Sequence, residues 1–227
     1  MSDPMAQEQE VIRSPRRDFS SLLDLPSLPA GEPVGKALIM GEQAEDLAIY
    51  LSARAASRGF QVLVADGANS FDPYLVSRFA RREGLPPEEL LKKIWVARAF
   101  TCHQMVTLLR ERLDPMILPG ALPLVVLLGP CTLFLDEEVS GEEATLLFRR
   151  MLSKVKERNE KGIFFLMGQP FSGLHRSRGF LLRELVQLSD TVLKLKPSPD
   201  ALQIALHKPP LALRRRWGVL ERFQEIA

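Results

Sequence analysis

The chain has 227 residues, 46% of them hydrophobic and 26% charged, with a formal net charge of +2; that is enough to bury one good core, as one domain with tails. Cys102 and Cys131 stand far apart without CxxC spacing, alongside only His103, His175 and His207, which excludes a zinc-cluster or disulfide framework and fits a reducing, cytoplasmic setting. The opening MSDPMAQEQE lacks the apolar core of a signal peptide, and the longest apolar run, 121–128, is too short to span a bilayer, so no membrane partner, metal or other cofactor is expected.

Charge is unevenly distributed. Residues 171–227 hold 10 Lys/Arg against 5 Asp/Glu, whereas residues 1–170 hold 20 against 23. Two readings of the basic C-terminal part stay open: contact with a polyanion such as nucleic acid, or a solvated basic face.

Residues 1–33 read as an N-terminal tail and linker, polar to Glu10 and then broken by Pro15, Pro26, Pro29 and Pro33. Phe19, Leu22, Leu23 and Leu25 are apolar enough to dock, either on their own domain or, with Phe19 and Leu22 leading, on a partner or a second copy of the chain. The next segment opens like a nucleotide-binding βα unit, strand VGKALIM (34–40) and then a helix over 43–58 with Leu47, Leu51 and Ala55 on one face. It has no phosphate loop. A G-x-x-x-x-G-K-[ST] loop wraps a triphosphate with glycine amides and reaches its outer phosphates with lysine. Here the turn is Gly41, Glu42, Gln43, Ala44, Glu45 and Asp46, placing three carboxylates at a helix N-terminus that otherwise attracts anions.

Further strands are predicted at 60–66, 93–100, 122–128 and 162–168, and helices at 73–83, 87–91, 101–113, 141–159 and 178–188. Continuous apolar runs such as LVVLL and IFFLM suit strands buried on both faces of a parallel sheet with helical crossovers. After the last helix, TVLKLKP and ALQIALHK alternate around Pro197, Ser198, Pro199 and Asp200, an antiparallel hairpin signal. The expected fold is therefore α/β: a mostly parallel twisted sheet flanked by helices over 34–208, closed by a β-hairpin, with a basic tail or helix over 209–227.

Two further clusters carry chemistry. Asp136, Glu137 and Glu138 follow the fourth strand, where they either hold a divalent ion with Asp66 or form an acidic loop capping the next helix near Ser140. Cys102 and His103 are neighbours, but successive helical residues point about 100° apart, so packing rather than a thiol–imidazole pair is expected.

Several stretches, in order, resemble the RecA/RadA recombinase superfamily. VLVADGANSFDPYLVSRFARREGL (62–85) resembles its strand-loop-helix with an Asp and a TF-x-P-type turn; WVARAFTCHQM (95–105) resembles its "ARA…HQ" segment; LVVLLGPCTLFLDEE (124–138) lies where the Walker B strand belongs; and FFLMGQP (164–170) resembles the strand ending in a polar sensor residue. The resemblance covers about 34–208 and implies a RecA-like core. It also exposes three losses, since phosphoryl transfer there needs a phosphate-loop lysine, a Walker B aspartate for magnesium and a water-activating glutamate. The turn has no lysine, Gly129 stands where the aspartate belongs, and Ala68, two beyond Asp66, replaces the glutamate; Gln169 alone matches, at the sensor position. Lys36, before the loop, is not a ready substitute.

The resemblance therefore implies a non-catalytic paralogue, with Gly41, Glu42, Gln43, Asp66, Gly129 and Gln169 as a degenerate nucleotide site. It also implies DNA contacts in the loops after the Walker B and sensor strands. The first loop is acidic; the second, PFSGLHRSRG, offers Phe171, His175, Arg176 and Arg178 for phosphates and base stacking. Arg214, Arg215 and Arg216, beside Trp217, either add to that contact or lie solvated on an amphipathic helix. The expected partners are DNA, a catalytic RecA/RadA-like recombinase, or the chain itself; the alternatives are an interaction subunit without DNA contact and a nucleotide or metal switch at the acidic sheet edge.

Overall fold

A computed structural model describes residues 35–171, 178–197 and 202–208. Seven strands form one sheet: β1 (Lys36–Met40), β2 (Gln61–Asp66), β3 (Ile94–Arg98), β4 (Pro123–Leu128), β5 (Phe164–Gln169), β6 (Thr191–Pro197) and β7 (Leu202–Lys208). Their spatial order is β3-β2-β4-β5-β1-β6-β7. Every pairing is parallel except β6 with β7, so the fold is α/β, mostly parallel, with an antiparallel C-terminal pair.

The helices are α1 (Ala44–Ser57), α2 (Pro73–Arg82), α3 (Pro87–Leu91), α4 (Cys102–Thr107), α5 (Gly141–Glu160) and α6 (Gly179–Leu188). Alternate strand residues feed two cores. Ala37, Ile39, Val62, Val64, Val126 and Leu166 pack with α1, α2 and α3, while Leu38, Leu63, Val125, Leu127, Phe165 and Met167 pack with α4, α5 and α6. Apolar runs without alternation arise because both faces of these strands are covered.

Local chemistry sets several boundaries. The Asp72 carboxylate accepts from Tyr74 N and Pro73 opens α2; Thr101 caps α4 through Gln104 N and Ser140 caps α5 through Glu143 N. The helix expected over 101–113 is not uniform. Its α-helical part ends at Thr107, Leu108–Arg112 widens into a π-turn, and a 3₁₀ turn follows over Asp114–Met116. Buried Arg158 of α5 pairs with Asp114 at 2.8 Å and donates to Arg110 O at 3.3 Å, which ties this irregular segment to the long helix behind it. A 3₁₀ turn at Thr132–Leu135 also lies where the sequence predicts only a loop.

At the opposite end of the sheet, Asp190 accepts from Gly35 N and Lys36 N and pairs with Lys36 Nζ at 2.9 Å, while Asn159 accepts from the same ammonium at 2.9 Å. Among the described residues, no helix is long and apolar enough to cross a membrane.

Phe148 is fully buried and meets Phe134 edge-on at 5.1 Å. Phe148→Ala is expected to lower the unfolding free energy by about 3–5 kcal/mol, read as a shifted midpoint in urea unfolding followed by circular dichroism.

Candidate functional site

In open parallel sheets, ligands bind outside the carboxyl ends of the strands. At that edge lie Gly41, Glu42, Gln43, Asp66, Gly129 and Gln169, the six residues expected to mark a degenerate nucleotide site. Gly41 N–H donates to Gln169 O at 3.1 Å, Gly129 N–H to Gly168 O at 2.8 Å, and Gly67 N–H to Leu128 O at 2.9 Å. The ends of β1, β2, β4 and β5 are thus bonded to one another through backbone groups that extend the sheet ladders by one rung.

Only residues 41–43 separate β1 from α1. Ala44 N–H returns to Gly41 O at 3.2 Å, and Gln43 opens the helix at φ 61° without a side-chain cap. Gly41, at φ 121°, lies so close to β6 that a Cβ there would sit 2.6 Å from Leu195 O. The helix also rests directly on β5, since a Cβ on Gly168 would lie 2.8 Å from Ala44 O and 3.1 Å from Glu45 Cα. A three-residue turn pressed between two strands is shorter than a phosphate-wrapping loop, and two of its neighbouring amides, Gly41 N and Ala44 N, are bonded to Gln169 O and Gly41 O. Glu42 and Gln43 point outward and are exposed.

The end of β4 at Gly129, expected to be the Walker B position, is equally closed. Gly129 has φ 59°, and a Cβ on it would meet Ala68 Cβ and Thr132 Oγ1, each at 2.6 Å. Ala68 therefore fills the space that a side chain at 129 would need. Gln169 is fully buried; its Oε1 accepts from Cys131 N at 2.7 Å and its Nε2 donates to Pro170 O at 3.0 Å. The amide clamps the chain after β4 against the end of β5.

Asp66 is also fully buried. Its carboxylate accepts from Ala68 N, Ser70 N and Phe71 N at 3.3, 3.1 and 3.0 Å, and Arg98 Nε lies 3.5 Å away. That set of donors folds the loop between β2 and α2 and occupies the oxygens that an ion shared with Asp136 would require. Asp136 accepts from Glu138 N at 3.0 Å within its own loop, and among the described residues no group of three His, Cys, Asp or Glu side chains is arranged to hold a metal ion. Lys36 lies at the start of β1, about 13 Å of strand from its carboxyl end, bound to Asp190 and Asn159.

Desolvation raises the Glu45 carboxyl above its ordinary range against a nearby Ser70 hydroxyl that lowers it, and Asp66 and Asp46 repel its charge further; burial likewise raises Asp46, with Asp72 adding to the effect and Arg78 opposing it. Glu45 Oε1 and Ser70 Oγ are buried without a hydrogen bond of ordinary geometry. The edge thus disfavours negative charge already present.

Cys102 and His103 depart from expectation. Sγ lies 3.6 Å from Nδ1, and Nε2 lies 3.0 Å from Glu143 Oε1. Cys102 opens α4 and Glu143 holds the far side of the ring from α5, so the imidazole turns back over the helix start instead of following the 100° step. The arrangement resembles a nucleophile, base and orienting carboxylate in order. Its thiol is 1% exposed, and burial raises its pKa, hindering thiolate formation.

Of the residues expected to contact DNA, Phe171 is 38% exposed with Lys194 Nζ 5.4 Å from its ring centroid. Arg178 turns inward: its guanidinium donates to Phe134 O, Asp136 O and Val139 O at 2.7–2.8 Å, fastening the acidic loop after β4. His175, Arg176, Arg214, Arg215, Arg216, Phe19 and Leu22 lie outside the described residues. Sequence reasoning did not anticipate Lys194, whose partner is distant in the chain, or the edge strand β3, where Trp95 and Val96 are 40% and 39% exposed.

A search against models of known protein families finds no match to this chain.

Gly129→Asp is expected to lower stability by about 2–4 kcal/mol, through a strained left-handed residue and the collision with Ala68 and Thr132, and to leave magnesium binding by calorimetry unchanged. Because folding raises the Glu45 pKa, the folded state holds its proton more tightly and loses relative stability as pH rises through the window from the ordinary carboxylate range up to the raised value. Glu45→Gln is therefore expected to raise the thermal midpoint at pH 8 by about 1–3 °C, a gain that shrinks as the pH falls below that window.

Proposed function

We propose that this chain is a RecA/RadA-like scaffold without ATP turnover that works by binding, to DNA, to a recombinase partner, or to both, in DNA repair or recombination. The observation that carries the reading is the closed three-residue turn at 41–43, whose Gly41 amide is spent on Gln169 O and whose helix rests on Gly168. Lost catalytic side chains could be separate accidents of sequence. A short, tightly packed turn, next to a position at Gly129 crowded by Ala68, supports the reading of an edge that does not turn over nucleotide.

The same strand ends offer a binding surface of a different kind. Phe171, with Lys194 above its ring, combines an aromatic face for a base with a cation for a phosphate. In sequence it leads into His175 and Arg176, and the C-terminal tail adds Arg214, Arg215 and Arg216. The acidic neighbours Glu42, Asp136 and Glu137 restrict polyanion contact at this edge to the Phe171 side. DNA binding therefore depends on few phosphate contacts and responds moderately to salt.

The protein-partner reading has its own observation. β3 ends the sheet, pairing only with β2 among the described strands, and Trp95 and Val96 are exposed on it. Such an edge accepts an extended apolar segment by strand addition.

Binding of fluorescent single- and double-stranded DNA at several salt concentrations, with ATP turnover recorded in parallel, tests the proposal. The expected outcome is salt-sensitive DNA binding, weakened about tenfold by Phe171→Ala/Lys194→Ala, as loss of one stacked base implies, with no turnover. Absence of DNA binding moves the function to a protein partner at β3; turnover overturns the proposal.

A further inference from the structure

Helix α2, Pro73–Arg82, divides cleanly into two sides. Leu75, Val76, Phe79 and Ala80 are buried in the core that it shares with α1 and α3. With about 100° between successive residues, Tyr74, Arg78, Arg81 and Arg82 fall within one arc of about 100° on the opposite side, and all four are exposed. Tyr74, at 75%, is the most exposed large apolar side chain among the described residues.

The row is not neutralised by its own helix. α2 contains no acidic residue, and no carboxylate stands three or four positions from any of the three arginines. Arg78 instead has Arg81 and Arg82 at those spacings, an arrangement that weakens a helix. Arginines in the last turn favour the helix dipole, but that accounts neither for Arg78 nor for a tyrosine in the first turn. Asp46 of α1 meets part of the Arg78 charge, Arg82 is engaged within the chain, and Glu83 borders the row. All three arginines nonetheless remain exposed.

We infer that this face of α2 is a binding surface for single-stranded nucleic acid, with Arg78, Arg81 and Arg82 against phosphates and the Tyr74 ring stacked on a base. Charge complementarity calls for a polyanion, and the tyrosine at the end of the row selects among polyanions. An unpaired base presents its π-face to the ring, whereas a duplex keeps its bases stacked on one another and an acidic peptide has none. The surface is separate from the Phe171–Lys194 pair. Lys194 stands beside Met40, whose side chain belongs to the core with α4, α5 and α6, so that pair and α2 lie on opposite faces of the sheet. α2 follows β2 in the chain, and β6 is four strand spacings from β2, about 19 Å. The inference shares with the proposed function the premise of nucleic-acid binding, but not the site.

Anisotropy of labelled oligo(dT) at several salt concentrations tests this, on the full chain and in the Phe171→Ala/Lys194→Ala background. Arg78→Ala/Arg81→Ala/Arg82→Ala is expected to weaken binding about tenfold or more and to lower the slope of log affinity against log salt by about 2, as loss of three phosphate contacts to a single strand implies. Arg78→Lys/Arg81→Lys/Arg82→Lys is expected to keep that slope. Tyr74→Ala is expected to weaken binding about tenfold at unchanged slope, and Tyr74→Phe to restore it. The lysine and phenylalanine variants keep the test decisive if an alanine variant loses its melting transition by circular dichroism. Equal affinity of the parent and both alanine variants overturns the inference, even where Phe171→Ala/Lys194→Ala weakens binding and the proposed function stands. It is also overturned if a duplex of the same length binds as tightly and Tyr74→Ala is silent, or if polyglutamate displaces the probe as readily as unlabelled oligo(dT), which would mark the face as a dock for an acidic protein. Weakening by the α2 variants in a chain indifferent to Phe171→Ala/Lys194→Ala supports it and removes the Phe171 site instead. Absence of oligo(dT) binding overturns both.

Discussion

The contact between the start of α1 and Gly168 of β5 governs the edge where a parallel sheet normally binds its ligand. With hydrogen as its side chain, residue 168 lets the helix backbone approach to a distance at which a methyl group would strike Ala44 O at 2.8 Å. Three residues make the turn before it, and the Gly41 amide carries the β1–β5 ladder one rung further to Gln169 O. Gln169 then reaches across to Cys131 and fixes the chain leaving β4. Closure therefore spreads from one close approach through a chain of backbone bonds, and each strand end has its polar groups satisfied by its neighbour instead of by a ligand.

That economy explains why acidic residues are tolerated there. Asp66 is fully buried, and three amides and Arg98 surround its carboxyl group. Glu45 lacks such donors and is held toward its neutral form by burial. A phosphate brought to this edge would find charges of its own sign, while the cation nearest in sequence, Lys36, is anchored at the far end of β1 by Asp190 and Asn159.

The other face shows how packing reassigns residues whose types suggest chemistry. Arg178, in a segment of basic and glycine residues, spends its guanidinium on three carbonyls of the acidic loop, and in doing so neutralises part of that loop's field. Cys102, His103 and Glu143 line up in the order of a nucleophilic triad, yet the thiol sits beneath the surface where burial keeps its proton on. Arg158 enters the core only because Asp114 and a π-turn carbonyl receive it.

The sequence by itself determined the α/β class, because the unbroken apolar runs in β4 and β5 require cover on both faces, and the Asp72-Pro73, Thr101 and Ser140 signals that start α2, α4 and α5 act within a few residues of themselves. It also determined that the 41–46 turn carries carboxylates and no lysine, since that is a matter of composition. Only the tertiary structure decided the strand order, which sets β5 between β1 and β4, and with it the meeting of Gln169 with Gly41 and Cys131. It likewise decided that Ala68 fills the space beside Gly129, that the His103 ring turns toward Cys102, and that Arg178 faces inward. Each of these depends on contacts between residues tens of positions or more apart in the chain, or on a backbone approach that no local pattern encodes; the helix at 101–113 was legible as a helix, but its π-turn arises from fitting against Arg158 of α5.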